Sequence, residues 1–133
     1  MLDTVTRPRM IDQDPWTLPL EQFDVSQPDL YAADKQWDFF ARLRQEEPVH
    51  YCADSDFGPF WSVTKFNHIA HVEKNHKIFS SEPVITIADL PEEIPFSSFI
   101  QKDPPKHDEQ RAAVQPLVAP ANKAKLEPII RER

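Results

Sequence analysis

Glycine, cysteine and long apolar runs are the features that this sequence lacks. The 133 residues include one glycine, Gly58, and one cysteine, Cys52, beside 14 prolines. A single glycine cannot build the glycine-rich phosphate loops of dinucleotide-binding or Walker-type proteins. A single cysteine allows no internal disulfide, and no stretch reaches the roughly 20 apolar residues of a membrane span. We therefore expect a cytoplasmic protein with no membrane span.

The charge balance argues against a nucleic-acid partner. The formal net charge is -7, whereas binding to phosphate backbones requires clustered Lys and Arg. Residues 101–133 depart from this balance because they contain more basic than acidic residues. This last segment is slightly basic within an acidic protein.

Helical and strand patterns occupy the middle of the chain. Residues 1–25 show no clear periodicity and predict an extended arm. From residue 26 to Pro48, apolar side chains recur at helical spacing and predict one amphipathic helix with a buried stripe. The stripe consists of Leu30, Ala33, Trp37 and Phe40. Two short apolar runs, "PVHYC" and "FWSV", then predict a β-hairpin.

A second helix is predicted for "TKFNHIAHVEKNHKIF", which contains three histidines. His68 and His71 could share a helix face, but His76 lies well round the helix and no cysteine or acid completes the set. Tetrahedral zinc sites need four suitably placed ligands. We expect no metal site here.

Residues 80–102 are rich in apolar residues and proline but have no sustained period. A loop of this length is usually functional or covers a pocket. After it, Asp103 is predicted to cap a helix, Pro104 to occupy its first position and Pro116 to end or bend it. One helix face, a hairpin and an apolar loop do not obviously enclose a core. We expect the chain to be the front part of a longer protein.

His107 and Arg111 stand four residues apart in "DPPKHDEQR", so on a helix they lie one turn apart on one side. Both can donate to carboxylates, and the nearby helix N-terminus favours anions. A dicarboxylate ligand would suit this arrangement. The alternative is a solvated face on which both side chains pair with Asp108 and Glu109.

The same stretch resembles the D-P-P-x-H-x-x-x-R signature at the start of helix C in bacterial haem-thiolate monooxygenases, the cytochrome P450 superfamily. Three further stretches are similar to that family in the same order. "FARLRQEEPVHY" resembles helix A leading into the first strand, "GPFWSVTKF" the second strand entering helix B, and "FSSEP" the segment after helix B. The stretches "FGPFWSVTKF" and "DPPKHDEQRAAVQPLVAP" most resemble the soluble bacterial subgroup that hydroxylates the terminal carbon of medium-chain alkanes and fatty acids.

This resemblance implies a mainly α fold with a small β-sheet, in which residues 26–133 form the N-terminal portion of a single P450 domain. The elements would be helix A, the β1 hairpin, helix B, the B-C loop, helix C and the start of the next helix. It also implies that His107 and Arg111 hold the haem propionates and that residues 80–102 roof the substrate pocket. The candidate pocket residues are Val84, Ile85, Ile87, Leu90, Phe99 and Ile100, with packing inside the loop or against neighbouring helices as the alternative.

The chain lacks the family's cysteine loop, its oxygen-activating helix and its E-x-x-R pair. Cys52 has neither the context nor the position of the iron ligand and is interpreted as a small strand residue. We therefore expect no catalytic residue and no metal ligand in this chain, and no activity from it alone.

For the full-length protein, the resemblance implies haem b and insertion of one oxygen atom of O2 into a C-H bond of an apolar substrate. Electrons would come through a ferredoxin and its reductase. The alternative from another class is a non-enzymatic helical module whose apolar stripe and proline-rich arm bind a partner protein.

Overall fold

The computed structural model describes residues 7–88 and 98–132. The chain divides into two compact units, Met1–Asn75 and His76–Arg133, which we call the first and second units. The helices are α1 Pro28–Ala32, α2 Gln36–Glu46, α3 Phe66–Lys74, α4 Lys106–Val114 and α5 Pro120–Arg131, and the strands are β1 Val49–Cys52 and β2 Phe60–Val63. The predicted mainly α fold with a small sheet is confirmed. No helix among the described residues is long and apolar enough to cross a membrane.

The N-terminal segment is part of the core of the first unit. Residues 7–25, predicted as part of an extended arm, contain two 3₁₀ helices, Met10–Asp12 and Leu20–Gln22. The buried core side chains are Met10, Leu18, Phe23, Val25, Leu30, Phe39 and Leu43, so four of the seven come from this segment. Gln27 holds the segment in place by accepting from the Met10 N-H at 2.8 Å and donating to the Pro8 carbonyl at 3.0 Å. Contacts of this range leave no periodic signal in the sequence.

The prediction of a single helix before Pro48 is wrong, because the helix is interrupted between α1 and α2. Asp34 has φ 56, in the left-handed region that aspartate tolerates better than most residues. The break changes the phase of the buried face, which in α2 includes Phe39 and Leu43. Trp37, predicted to be buried, is 62% exposed, and its indole N-H donates to the Asp34 carboxylate at 2.8 Å.

The predicted hairpin is confirmed and pairs β1 with β2 in antiparallel register. His50 lies opposite Ser62 in this register, and both side chains are buried. Tyr51 lies opposite Trp61 on the outward face, where the two ring centroids are 4.7 Å apart. The alternation of one buried and one exposed face is what the period of a strand requires.

The second unit is helical. A short 3₁₀ helix, Phe99–Gln101, precedes α4, and a second, Gln115–Val118, joins α4 to α5. The transition to 3₁₀ geometry at Gln115 agrees with the predicted effect of Pro116, whose ring and missing N-H oppose an α-helix. Gln101 is the one buried side chain among the described residues of this unit.

Candidate functional site

The start of α4 differs from the predicted cap. The helix begins at Lys106 with Pro105 as its N-cap residue, and no side chain caps it. Asp103 instead takes part through its main chain, since its carbonyl accepts from the His107 N-H at 3.2 Å. The carboxylate of Asp103 is therefore available for other partners.

His107 is held by the segment before the helix. Its Nδ1 lies 2.9 Å from the carbonyl oxygen of Phe99, and its ring meets the Phe99 ring edge to face at 5.7 Å between centroids. A carbonyl can only accept, so Nδ1 carries the proton in this hydrogen bond. Nε2 is then the ring nitrogen that remains for a ligand.

Arg111 lies one turn further along α4 and is exposed. Within residues 7–88 and 98–132, no side chain forms an ion pair or hydrogen bond with it. The alternative pairing with Asp108 and Glu109 is therefore not formed. Its planar guanidinium can donate to both oxygens of a carboxylate at once.

The predicted pocket residues all precede this helix start in the sequence. Val84 and Phe99 are half-buried, whereas Ile85, Ile87 and Ile100 are exposed. Leu90 lies outside the described residues. The structure brings Phe99 against His107. The three isoleucines present apolar surface that packing inside the described loop does not cover.

Asp103 makes contacts that the sequence reasoning missed. Its Oδ2 accepts from the Ser80 hydroxyl at 2.5 Å, and its Oδ1 accepts from the Ser81 N-H at 3.0 Å. The Ser80 hydroxyl oxygen in turn accepts from the Glu82 N-H at 2.9 Å. Paired serines at the start of the loop and an acid directly after it are a signal for such contacts, but a weak one.

The environment of Asp103 favours its charged form. The hydrogen bond from Ser80 lowers the pKa of the Asp103 carboxyl, and the bond from the Ser81 N-H lowers it further. Where they are protonated, the rings of His76 and His107 act in the same direction with smaller effect. Hydrogen bonds to the charged form of a carboxyl always shift its pKa downward.

Cys52 lies in β1 and is buried, which confirms its interpretation as a strand residue. Burial raises the pKa of its thiol, and the charge of Asp24 adds to the rise. A neutral buried thiol is a poor metal ligand, because metals bind the thiolate. Among the described residues, no group of three or more His, Cys, Asp or Glu side chains is placed to hold a metal ion.

Solved structures with a similar fold cover most of this chain. CYP153D17 from Sphingomonas sp. PAMC 26605 is 38% identical with a TM-score of 0.77, over 86% of this chain and 30% of its own. Cytochrome P450-153 from Novosphingobium aromaticivorans is 36% identical with a TM-score of 0.73, over 90% of this chain and 34% of its own. This chain corresponds to the N-terminal part of a bacterial cytochrome P450.

Curated relatives of this cytochrome P450 chain include a monooxygenase and a hydroxylase. Linalool 8-monooxygenase of Pseudomonas putida is 34% identical over 125 residues, which are 86% of this chain and 31% of that protein. A methyl-branched lipid omega-hydroxylase of Mycobacterium tuberculosis is 29% identical over 142 residues, 99% of this chain and 33% of its own. The chain thus spans about a third of the length of these relatives. No protein-family model matches it.

The donors on α4 fit the anionic edge of the haem that cytochrome P450s carry. A haem has two propionates, and α4 presents a guanidinium without a described acidic partner one turn from an imidazole with one nitrogen left over. Arg111 and His107 are therefore chemically suited to hold these carboxylates.

Proposed function

We propose that both units of this chain belong to one haem-dependent monooxygenase domain that hydroxylates the terminal carbon of medium-chain alkanes or fatty acids. The names of the relatives support the reaction class, since one is an omega-hydroxylase and another an 8-monooxygenase. The observation that carries the role of this chain is the pair His107 and Arg111 on one face of α4. The haem, when bound, supplies the chemistry that activates O2.

Arg111 and His107 have different tasks in this proposal. Arg111 would neutralise one propionate and hold it through its guanidinium donors. The Nδ1-H of His107 donates to the Phe99 carbonyl, so Nε2 can donate to a carboxylate only if that nitrogen also carries a proton. With both ring nitrogens of His107 protonated, the propionate edge would face two positive charges.

The apolar side chains of the loop have a steric task. Ile85 and Ile87 are exposed on residues 80–88, and Ile100 is exposed on the other described side of the loop. Hydrocarbon substrates offer no hydrogen bonds, so their recognition depends on apolar area and shape. Together with Val84, Leu90 and Phe99, these side chains would line the roof of the substrate pocket and exclude water.

Loss of the Arg111 guanidinium tests the cofactor role. The experiment uses a holoprotein of family length that begins with this chain, either its own full-length protein or a fusion to the remainder of CYP153D17. Arg111→Ala should lower the haem content and speed haem loss to an acceptor protein by about tenfold or more, the factor expected for a charge-assisted bidentate pair. Lys123→Ala, which removes an exposed cation from α5, is the control. Wild-type haem retention in Arg111→Ala would refute the assignment.

Enlarging the loop side chains tests the substrate role. In the same holoprotein, Ile85→Phe and Ile87→Phe should change which chain lengths are accepted or which carbon is hydroxylated, because each adds volume to the proposed roof. Ile130→Phe on α5 is the matched control. An unaltered product distribution in both loop variants would count against the roof.

The slightly basic charge of residues 101–133 supports electron delivery by an acidic ferredoxin. The exposed cations of α4 and α5 include Lys106, Lys123, Lys125 and Arg131. Surface complementarity of this kind raises association rates and is screened by salt. The association rate with a ferredoxin should therefore fall as ionic strength rises, and a salt-independent rate would remove these cations from the docking surface.

A further inference from the structure

Two segments separated by more than twenty residues are joined at the start of α4. Ser80 and Ser81 both donate to the Asp103 carboxylate, one through its hydroxyl and one through its main chain. The Asp103 N-H lies 3.4 Å from a carboxylate oxygen of Glu82 and donates to it. We call the group formed by Ser80, Ser81, Glu82 and Asp103 the Asp103 clasp.

The far side of the loop is held at the same helix start by separate contacts. The Phe99 carbonyl accepts a hydrogen bond from His107 Nδ1. The 3₁₀ helix that contains Phe99 has a capping box at its N-terminus. In this box, the buried Gln101 accepts from the Ser98 N-H at 3.0 Å through its side chain, while the Ser98 hydroxyl accepts from a main-chain N-H of the first turn. Both described ends of the loop are thus fixed next to the first turn of α4.

We propose that Asp103 is a positioning residue that holds residues 80–88 at the start of α4, and so sets where Val84, Ile85 and Ile87 lie for substrate selection. The selectivity part of this proposal rests on the function proposed above. In this proposal, Asp103 contacts neither substrate nor haem. It acts through the main chain that joins Ser80 to the apolar side chains a few residues further on.

The chemistry of the clasp requires an ionised carboxylate. Two donors arrive on two different oxygens, and a carboxylate offers acceptors on both. Asparagine would keep one acceptor for the Ser81 N-H but place an N-H2 group towards Ser80, and alanine would keep none. The Ser80 hydroxyl has a second function, because it also accepts from the Glu82 N-H. Removing either Asp103 or Ser80 therefore breaks more than one contact.

The lowered pKa of Asp103 agrees with this geometry and fixes the sign of the pH dependence. A carboxyl whose pKa is lower in the folded protein stabilises the folded state above its unfolded pKa. That contribution is lost as the pH falls through the lowered value. The clasp should therefore be intact at neutral pH and open only in acid.

Site-resolved hydrogen exchange of the holoprotein, together with its product distribution, tests the proposal. In Asp103→Ala, the amides of Ser81 and Glu82 should exchange about threefold to tenfold faster, the factor for losing one or two exposed hydrogen bonds. Ser80→Ala should act in the same direction, and Asp103→Asn should have a smaller effect. Asp108→Ala, which removes an exposed acid from α4 outside the clasp, should leave both measurements at wild-type values.

The outcomes separate this proposal from the function on which it rests. Faster exchange together with a changed product distribution in Asp103→Ala supports it. Unchanged exchange at Ser81 and Glu82 overturns the positioning role, and faster exchange with an unchanged product distribution overturns the selectivity role. If the wild-type holoprotein hydroxylates neither alkanes nor fatty acids, the proposed function fails, and the exchange rates alone then decide whether Asp103 positions the loop.

Discussion

The first unit buries seven apolar side chains in one cluster, whereas the described part of the second unit buries a single glutamine, Gln101. The second unit is not poor in apolar residues, because Leu126, Ile129 and Ile130 all lie exposed on α5. The two units differ in how far apart in the chain their packed residues lie. In the first unit, residues far apart in the chain meet, as Met10 and Leu43 do in the core cluster. A helical pattern of apolar residues favours a helix, but the apolar face of that helix is buried only when a second surface packs against it.

A pair of arginines shows the same contrast among polar groups. Arg42 in α2 and Arg131 in α5 each form an ion pair with a glutamate four residues away. Arg42 also donates to the carbonyls of Pro15 and Leu18 at 2.7 and 2.6 Å and lies over the Phe23 ring. Its side chain is 12% exposed and that of Arg131 is 77% exposed. The same type of ion pair is thus supported by further contacts in the first unit and is exposed in the second.

The strongest test of the contrast is one substitution made in each unit. Leu43 is fully buried and Leu117 is 67% exposed. Leu43→Ala should lower the free energy of unfolding of this chain by about 2–5 kcal/mol, because it removes contacts and leaves a cavity. Leu117→Ala should change it by less than about 0.5 kcal/mol. Urea unfolding measures both, and an equal loss would show that Leu117 is covered in solution.

The arginine pair gives a test of intermediate size. Arg42→Met keeps the aliphatic stem but leaves two carbonyls without their donor, so we expect a loss of about 1–3 kcal/mol in the free energy of unfolding. Arg131→Met removes one exposed helical ion pair, worth about 0.3–0.5 kcal/mol. Between low and high salt, the loss should change by a larger fraction for Arg131→Met than for Arg42→Met, because an exposed ion pair is screened more than the carbonyl contacts of Arg42. Matching losses at the two sites would mean that the Pro15 and Leu18 contacts add nothing.

The smallest effect concerns thiol reactivity and its pH dependence. Because burial raises the pKa of Cys52, the thiol favours the folded state below its unfolded pKa, and this contribution is lost as the pH rises through the raised value. Cys52 should therefore react with a thiol reagent more slowly than a cysteine introduced at exposed Ala112 in a Cys52→Ala background. Raising the pH should reduce the difference between the two reaction rates. Equal rates at neutral pH would place Cys52 at the surface.

Local features were predictable because the residues that make them are close in sequence. The hairpin, the helix ends near Pro48 and Pro116, and the placement of His107 and Arg111 on one helix face all depend on spacings of a few residues. The buried face of α2 was not predictable in the same way. One residue in a left-handed conformation, Asp34, shifts the phase of everything after it, and propensity does not favour such a conformation over continuing the helix.

The sequence by itself excluded glycine-rich phosphate loops and an internal disulfide. It also determined the main kinds of elements, their order, and the spacing that presents an imidazole and a guanidinium on one side of α4. These follow from residue chemistry and from the fixed geometry of helices and strands. The tertiary structure alone decided that residues 7–25 enter the core, that Trp37 does not, and that Asp103 binds Ser80 and Ser81 instead of capping α4. Each of these depends on groups about twenty or more residues apart or on a single backbone angle, and neither leaves a period in the sequence.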